Sequence, residues 1–187
     1  MKKSLQWTAL ALVSVMTLTG CVSARHNQPD YYVVDNKRFS RDYSSRLPTQ
    51  LDTNGQKTVL VDPDAHAWGA YDANGQLVKS GLATAGGTQC PPDDAGTPTC
   101  KTGVGKFKIT RMGDGSCVSK VYPRPQGGGL MPYCMFFNNG EALHGAPDNT
   151  VIEANVSHGC VRMRIQDAEW MRKNFAEVGT TVIVLPY

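Results

Sequence analysis

Cys160 is the residue of this chain whose neighbours most favour nucleophilic chemistry. It directly follows His158 and Gly159, and His144 with Gly145 lies a short distance upstream. A thiol becomes a nucleophile when a nearby base takes its proton, and histidine is the common base. A glycine before the cysteine permits backbone angles that point the Cys160 N–H at a developing oxyanion. The pattern predicts a nucleophile, a base and an oxyanion site within one stretch of chain.

The number of cysteines also marks Cys160. The chain has 6 cysteines, and Cys21 stands apart at the end of a predicted export signal, which leaves an odd number. Apart from Cys160, the remaining ones are Cys90, Cys100, Cys117 and Cys134. In an oxidising compartment the simplest pairing is Cys90–Cys100 with Cys117–Cys134, although four cysteines allow about three connectivities. Cys160 is then the thiol that stays reduced.

The start of the chain has the features of a bacterial export signal. Two lysines follow the first methionine, and an apolar run extends over residues 10–18. This run is too short to span a bilayer, so residues 1–20 are predicted to be a signal peptide outside the fold. The run ends in Leu-Thr-Gly-Cys at residues 18–21, which resembles the lipobox of bacterial lipoproteins. The alternative is an ordinary cleavage site with an incidental cysteine.

A lipobox implies that Cys21 is diacylated and becomes the mature N-terminus. Several acyl chains on one residue give stable membrane attachment. Val22 follows the cysteine in place of Asp, which by the usual sorting tendency indicates the outer membrane and a periplasmic location. Residues 22 to about 55 are polar and irregular, so residues 21–56 are predicted to be the lipidated N-terminus and a tether.

Charge and motif content exclude several function classes. The chain has 19 basic and 16 acidic residues, and two of the lysines lie in the leader, so nothing indicates nucleic-acid binding. No Cys-x-x-Cys pair is present, and the middle cysteines are scattered, so we expect no metal site. Gly105-Lys106 lacks the Ser or Thr that follows in a phosphate loop. We therefore expect no cofactor.

The elements that position these residues are predicted to be mostly strands. Alternating or β-branched patterns predict strands over residues 58–62, 67–71, 76–82, 105–111, 133–137, 141–144 and 181–185. Asn-Gly pairs at residues 74–75 and 139–140 predict hairpins. One helix is predicted over residues 166–178, with Met171, Phe175 and Val178 on its apolar face.

The residues around Cys160 resemble the signature of the L,D-transpeptidase catalytic domain family. That signature is His144-Gly145 followed by Ser-His-Gly-Cys-Val-Arg-Met at residues 157–163. Weaker matches in the same order are residues 60–62, 101–107, 131–133 and 178–182. The resemblance covers roughly residues 57–187 and implies a mostly β, sandwich- or barrel-like catalytic domain with one short C-terminal helix.

Two departures from the family pattern are visible. Gly103 stands where the family usually has proline, and the spacer from His144 to Ser157 is shorter than usual. Neither removes a reacting group. The extra cysteines and the run at residues 131–137 look closest to a subgroup labelled "enhanced entry" proteins.

The resemblance also implies a reaction. Cys160 attacks a carbonyl of a peptidoglycan stem peptide, releases terminal D-alanine and forms a thioester, with His144 as the base. A backbone carbonyl is expected to orient the His144 ring, since Gly145 has no side chain, and Arg162 to bind a substrate carboxylate or order the loop. The implied oxyanion and substrate pocket consists of Ser157, His158, Gly159, Gly145, Arg162 and Tyr133.

Three functions follow from this chemistry. An amine acceptor gives a transpeptidase, which cross-links stem peptides or attaches a protein to the wall. Water gives a carboxypeptidase or another hydrolase. The third is a lipid-anchored, catalytically idle wall-binding protein, and the presence of both His144 and Cys160 argues against it. The expected partners are stem peptides, the membrane through the lipid anchor alone and a wall-attached outer-membrane protein, and we expect a monomer.

Overall fold

The computed structural model describes residues 31–34, 37–40, 42–94, 96–97 and 99–187. The predicted signal peptide, Cys21 and the first part of the tether lie outside the described residues. Within the described ranges, no helix is both long enough and apolar enough to cross a membrane.

Eleven strands and one helix make up the described chain. In order they are β1 (Tyr31–Val34), β2 (Lys37–Ser40), β3 (Thr58–Asp62), β4 (Ala67–Tyr71), β5 (Leu77–Leu82), β6 (Gly105–Lys108), β7 (Arg111–Met112), β8 (Met135–Asn138), β9 (Glu141–Ala146), β10 (Val161–Arg164), α1 (Ile165–Trp170) and β11 (Thr181–Val184). A π-helical turn, Met171–Phe175, continues α1, and short 3₁₀ turns occur at Ser44–Arg46, Pro92–Asp94 and Asp148–Thr150.

The strands form two main sheets and a separate hairpin. The first sheet has five strands in the order β5-β4-β3-β11-β6, and the second has four in the order β10-β9-β8-β7. β3 pairs with β11 and β9 with β10 in parallel, whereas the other neighbours are antiparallel. β1 and β2 pair with each other.

The main core contains residues from both sheets and the helix. Alternation along each strand directs one set of side chains inward, so Val59 and Val182 of the first sheet share a buried cluster with Leu143 and Val161 of the second. Met171 from the turn after α1 belongs to the same cluster. The predicted mostly β fold with one short helix is confirmed.

The predicted strand over residues 105–111 is two strands in different sheets. Ile109 N–H donates to the Thr180 carbonyl (2.9 Å), which precedes β11 of the first sheet. The next N–H, that of Thr110, donates to the Phe136 carbonyl (2.8 Å) in β8 of the second sheet. The chain therefore crosses between sheets at Ile109, whose side chain is buried. Alternation of polar and apolar residues cannot reveal such a crossing.

The helix ends earlier than its apolar pattern predicts. Ala176 N–H donates to the Met171 carbonyl (2.7 Å), which closes a π-type turn, and Ala176 itself is extended. Met171 and Phe175 are buried as predicted, but Val178 lies beyond the helix and is 63% exposed. The prediction that Val178 lies on the apolar face of the helix is therefore wrong, because the helical segment ends at Phe175.

Residues 42–55 cover the outer face of the first sheet instead of forming an independent tether. Tyr43 and Leu47 are buried in a second cluster with Leu60 and Tyr71. The Tyr71 hydroxyl donates to the Pro48 carbonyl (2.7 Å), and burial raises the pKa of Tyr71 to about 12. This part of the predicted tether packs on the domain because its few apolar side chains find an uncovered sheet face.

Leu47→Ala is expected to lower the free energy of unfolding by about 2–4 kcal/mol, since it removes a buried leucine side chain. Val178→Ala serves as the control and is expected to change the free energy by less than about 0.5 kcal/mol, because Val178 is exposed. Urea denaturation of both variants measures the difference. Equal transition midpoints would show that residues 42–55 do not belong to the folded unit.

Candidate active site

Neighbouring parallel strands bring His144 and Cys160 to one cavity. In the register of β9 and β10, Arg162 lies opposite His144, and Val161 lies opposite Leu143. Leu143 and Val161 point into the core, so His144 and Arg162 face the other side of the sheet. Cys160 immediately precedes β10 and lines the same cavity as those two residues. The cavity has a volume of about 730 Å³.

The His144 ring is held in one tautomer. Its Nδ1 lies 2.8 Å from the Gly145 carbonyl oxygen, which can only accept, so Nδ1 carries the proton. The second nitrogen, Nε2, is then the proton acceptor. Burial lowers the pKa of His144 to about 4, so the imidazole is neutral at pH 7. The contact with the Gly145 carbonyl agrees with the prediction that a backbone carbonyl orients the His144 ring.

Cys160 is a free and partly exposed thiol. Its pKa is raised to about 11, mainly by burial. A hydrogen bond from the Ala142 backbone and the charge of Arg162 oppose this rise, whereas the Glu141 charge contributes to it. At neutral pH the cavity therefore holds a protonated thiol and a neutral imidazole. A preformed thiolate–imidazolium pair is not favoured in this state.

Ser157 shapes the turn that leads to Cys160. Its N–H donates to the Ala85 carbonyl (3.0 Å), and its hydroxyl donates to the Cys160 carbonyl. The same hydroxyl oxygen accepts the Gly159 N–H at 3.1 Å. Ser157 lines the cavity as predicted, but these bonds give it a positioning role within the loop.

Gly159 has the conformation expected of a glycine at a tight turn. Its φ is +115°, a value that strains any residue with a side chain. A Cβ there would lie 3.4 Å from Oε1 of Glu141, an ordinary contact distance, so the backbone angle and not crowding requires glycine. This turn directs the peptide that leads into Cys160.

Two predicted pocket residues lie elsewhere. Tyr133 is not among the residues that line the cavity, because its hydroxyl donates to Glu169 of α1 (2.9 Å). The structure therefore does not bring Tyr133 to this cavity. Gly145 also does not line the cavity, since its N–H donates to the Pro132 carbonyl (2.7 Å) and its own carbonyl holds His144.

A contact between two loops covers His158. The Tyr122 ring stacks on the His158 ring with a centroid distance of 4.2 Å. The Tyr122 hydroxyl donates to Asp94 (2.7 Å), and Arg124 forms an ion pair with Asp94 (3.1 Å). Sequence reasoning did not identify Tyr122 or Asp94, because each lies in a long loop and no spacing links the two.

Disulfide bonds close the loop that contains Asp94 and the loop that contains Tyr122. The structure contains Cys90–Cys100 and Cys117–Cys134, and Cys160 is the free cysteine among the described residues. The predicted pairing is confirmed.

Alkylation of the denatured, unreduced protein is expected to label Cys160 and none of its four disulfide-bonded neighbours. Peptide mass spectrometry identifies the labelled cysteines, with Cys21 scored separately. In Cys160→Ala, the same four cysteines should stay unlabelled. Label on Cys90 or Cys134 in either protein would contradict the disulfide assignment.

Comparison with known proteins gives a family and a fold. The model of the YkuD family, the L,D-transpeptidase catalytic domain, matches residues 56–184, which is more than half of the chain. No curated protein matched the sequence.

Several solved structures share the fold. The L,D-transpeptidase (residues 123–326) of Xylanimonas cellulosilytica aligns with a TM-score of 0.62 at 22% identity, over 75% of this chain and 66% of that one. The L,D-transpeptidase of Stackebrandtia nassauensis aligns with a TM-score of 0.57 at 27% identity, over 73% of this chain and 58% of that one. The L,D-transpeptidase of Mycobacterium smegmatis aligns with a TM-score of 0.55 at 22% identity, over 70% of this chain and 59% of that one. This chain thus spans about two thirds or less of each of these structures.

Proposed function

Since the chain belongs to the L,D-transpeptidase catalytic domain family, we propose that it is a peptidoglycan L,D-transpeptidase with Cys160 as the nucleophile. The observation that carries the proposal is the arrangement of a free thiol and a buried, oriented imidazole on one cavity. The family acts on stem peptides, so the substrate is a peptide that ends in D-alanine.

The first half-reaction acylates the enzyme. The Cys160 sulfur attacks the carbonyl carbon that follows the L-centre of the diamino acid, while its proton moves to Nε2 of His144. Because both groups are neutral at pH 7, proton transfer accompanies attack. His144 then gives the proton to the departing nitrogen of D-alanine as the C–N bond breaks. The product is a thioester on Cys160.

The turn before Cys160 favours stabilisation of the oxyanion. The positive φ of Gly159 orients the following peptide, whose N–H belongs to Cys160. An N–H that points at the carbonyl oxygen stabilises the charge of the tetrahedral intermediate. Arg162 lies opposite His144 and lines the cavity, which supports a role in binding a substrate carboxylate or in ordering the loop.

The second half-reaction resolves the thioester. Attack by an amine gives a cross-link or joins a protein to the wall, whereas attack by water gives a shortened peptide. The first outcome is transpeptidation and the second is carboxypeptidase activity. An idle wall-binding protein would need neither the thiol nor the oriented base.

Incubation of the purified protein with disaccharide-tetrapeptide tests the proposal. Mass spectrometry is expected to show peptide dimers and released D-alanine. Tripeptides alone would indicate the hydrolase, and no product at all would favour the wall-binding protein. Heat-denatured protein provides the background.

The location of the enzyme is a further part of the proposal. The lipobox sequence at residues 18–21 and Val22 support a lipid anchor on Cys21 and a position on the periplasmic face of the outer membrane. From there the domain would reach stem peptides and a wall-attached outer-membrane protein. Metabolic labelling with a fatty acid, with Cys21→Ala as the control, tests the anchor.

A further inference from the structure

Glu141 is a charged residue of the cavity that the proposed mechanism does not use. The charged side chains at the cavity wall are Arg111, Lys120, Glu141 and Arg162. Among these described wall residues, Glu141 alone is acidic. The three basic side chains repel a cation, so within this wall Glu141 is the group whose charge attracts one.

The Glu141 carboxylate is held next to the nucleophile turn. Both of its oxygens accept the Gly103 N–H (3.0 and 3.1 Å), and Oε2 also accepts the Asn138 side-chain amide at 2.9 Å. Oε1 would touch a Cβ at Gly159 at 3.4 Å. The group is therefore fixed beside the peptide that precedes Cys160, and its oxygens retain lone pairs for another donor.

This position works against the first half-reaction. Besides burial, the Glu141 charge raises the pKa of the Cys160 thiol, so it disfavours thiolate in the free enzyme. Burial also raises the pKa of Glu141 itself, which the Asn138 and Gly103 donors counteract. The Glu141 carboxylate therefore hinders acylation. It can still assist the second half-reaction if the acceptor that enters after acylation is positively charged.

The amine acceptor of the second half-reaction is positively charged. A primary amine is an ammonium ion in neutral water, whereas the competing nucleophile, water, is neutral. We propose that Glu141 binds the ammonium group of the acceptor beside the Cys160 thioester and so favours transfer over hydrolysis. This inference rests on the proposed function and specifies its acceptor as a cationic amine.

The proton balance of the step is complete. Of the three ammonium protons, one is released to water before attack, and the free amine then attacks the thioester carbonyl. A C–N bond forms and the C–S bond breaks. His144 takes the second proton from the attacking nitrogen and passes it to the Cys160 sulfur, while the third remains on the new amide.

Glu141→Gln tests the inference, because it removes the charge and keeps the shape. The full chain is incubated with disaccharide-tetrapeptide, which serves as donor and as amine acceptor. We expect the ratio of dimers to tripeptides to fall about 10-fold, as lost charge-assisted hydrogen bonds typically cause. Single-turnover release of D-alanine, which reports acylation alone, is expected to be at least as fast as in the wild type.

Asn138→Ala is the matched control. It removes a hydrogen bond of the same carboxylate but leaves the charge. We expect its product ratio to stay within about twofold of the wild-type ratio. An unchanged ratio in Glu141→Gln, or an equal fall in both variants, would overturn the inference.

The wild-type protein separates this inference from the proposed function. If the wild type releases no D-alanine, the proposed function itself fails. If it releases D-alanine and makes tripeptides alone, acylation stands and acceptor binding by Glu141 is overturned.

Discussion

Cys160→Ala is expected to reduce turnover of disaccharide-tetrapeptide by a factor of about 10⁴ or more, since no other described residue that lines the cavity has a thiol. The side chain lies at the edge of a small cluster around Met131 and Cys134 and is partly exposed, so its loss leaves the core between the sheets intact. Release of D-alanine, followed by mass spectrometry, measures the activity.

Two controls separate chemistry from folding in this variant. Thermal unfolding of Cys160→Ala is expected to remain cooperative, with a midpoint near that of the wild type. Cys160→Ser keeps the shape but offers a poorer nucleophile, so it should be nearly as inactive. Turnover by Cys160→Ala at the wild-type rate would eliminate the thioester mechanism.

His144→Gln is expected to slow acylation by a factor of about 10²–10⁴, the usual contribution of a general base. Glutamine fills much of the same space but cannot take up the thiol proton. The effect should be large because burial raises the pKa of Cys160 to about 11, which leaves little thiolate at pH 7. Single-turnover release of D-alanine measures the step.

The pH dependence of acylation distinguishes this base from a preformed ion pair. The wild-type rate should fall as the pH drops through about 4, where His144 becomes protonated, and should stay level up to about 11. In His144→Gln the rate should instead rise with pH as thiolate accumulates. A bell-shaped dependence of the wild-type acylation rate on pH, with both half-maximal points between about pH 6 and 8, would show that the thiol and imidazole are not both neutral at pH 7.

The same burial of His144 predicts a pH-dependent stability. Its pKa is about 4 in the folded protein and near 6.5 in the unfolded chain, so the unfolded chain binds the proton first. The free energy of unfolding should therefore decrease by about 3 kcal/mol as the pH falls from the unfolded to the folded pKa. His144→Gln removes this contribution, and denaturation at several pH values measures it.

Local patterns were enough to predict most of the elements. Hairpins at Asn74-Gly75 and Asn139-Gly140 and the strands beside them occur as expected, because turn geometry and side-chain alternation depend on near neighbours. The odd cysteine count likewise identified Cys160 as the free thiol, and the disulfide pairing followed the order of the chain.

Other features depend on contacts between distant segments. The crossing at Ile109 requires acceptors from two different sheets, and the early end of the helix at Phe175 depends on a π-type turn. Burial of Leu47 depends on an uncovered sheet face that its own segment cannot reveal. Tyr133 points to Glu169 because the helix, and not the cleft, packs beside it.

The sequence by itself determined the candidate reacting groups, a thiol at Cys160 and an imidazole at His144, because their chemistry resides in residue type and spacing. Only the tertiary structure decided their states, since the pKa values of both groups follow from burial among residues far away in the chain. It also decided which charges line the cavity beside Cys160. Glu141 reaches the cavity through contacts with Gly103 and Asn138, which no local pattern encodes.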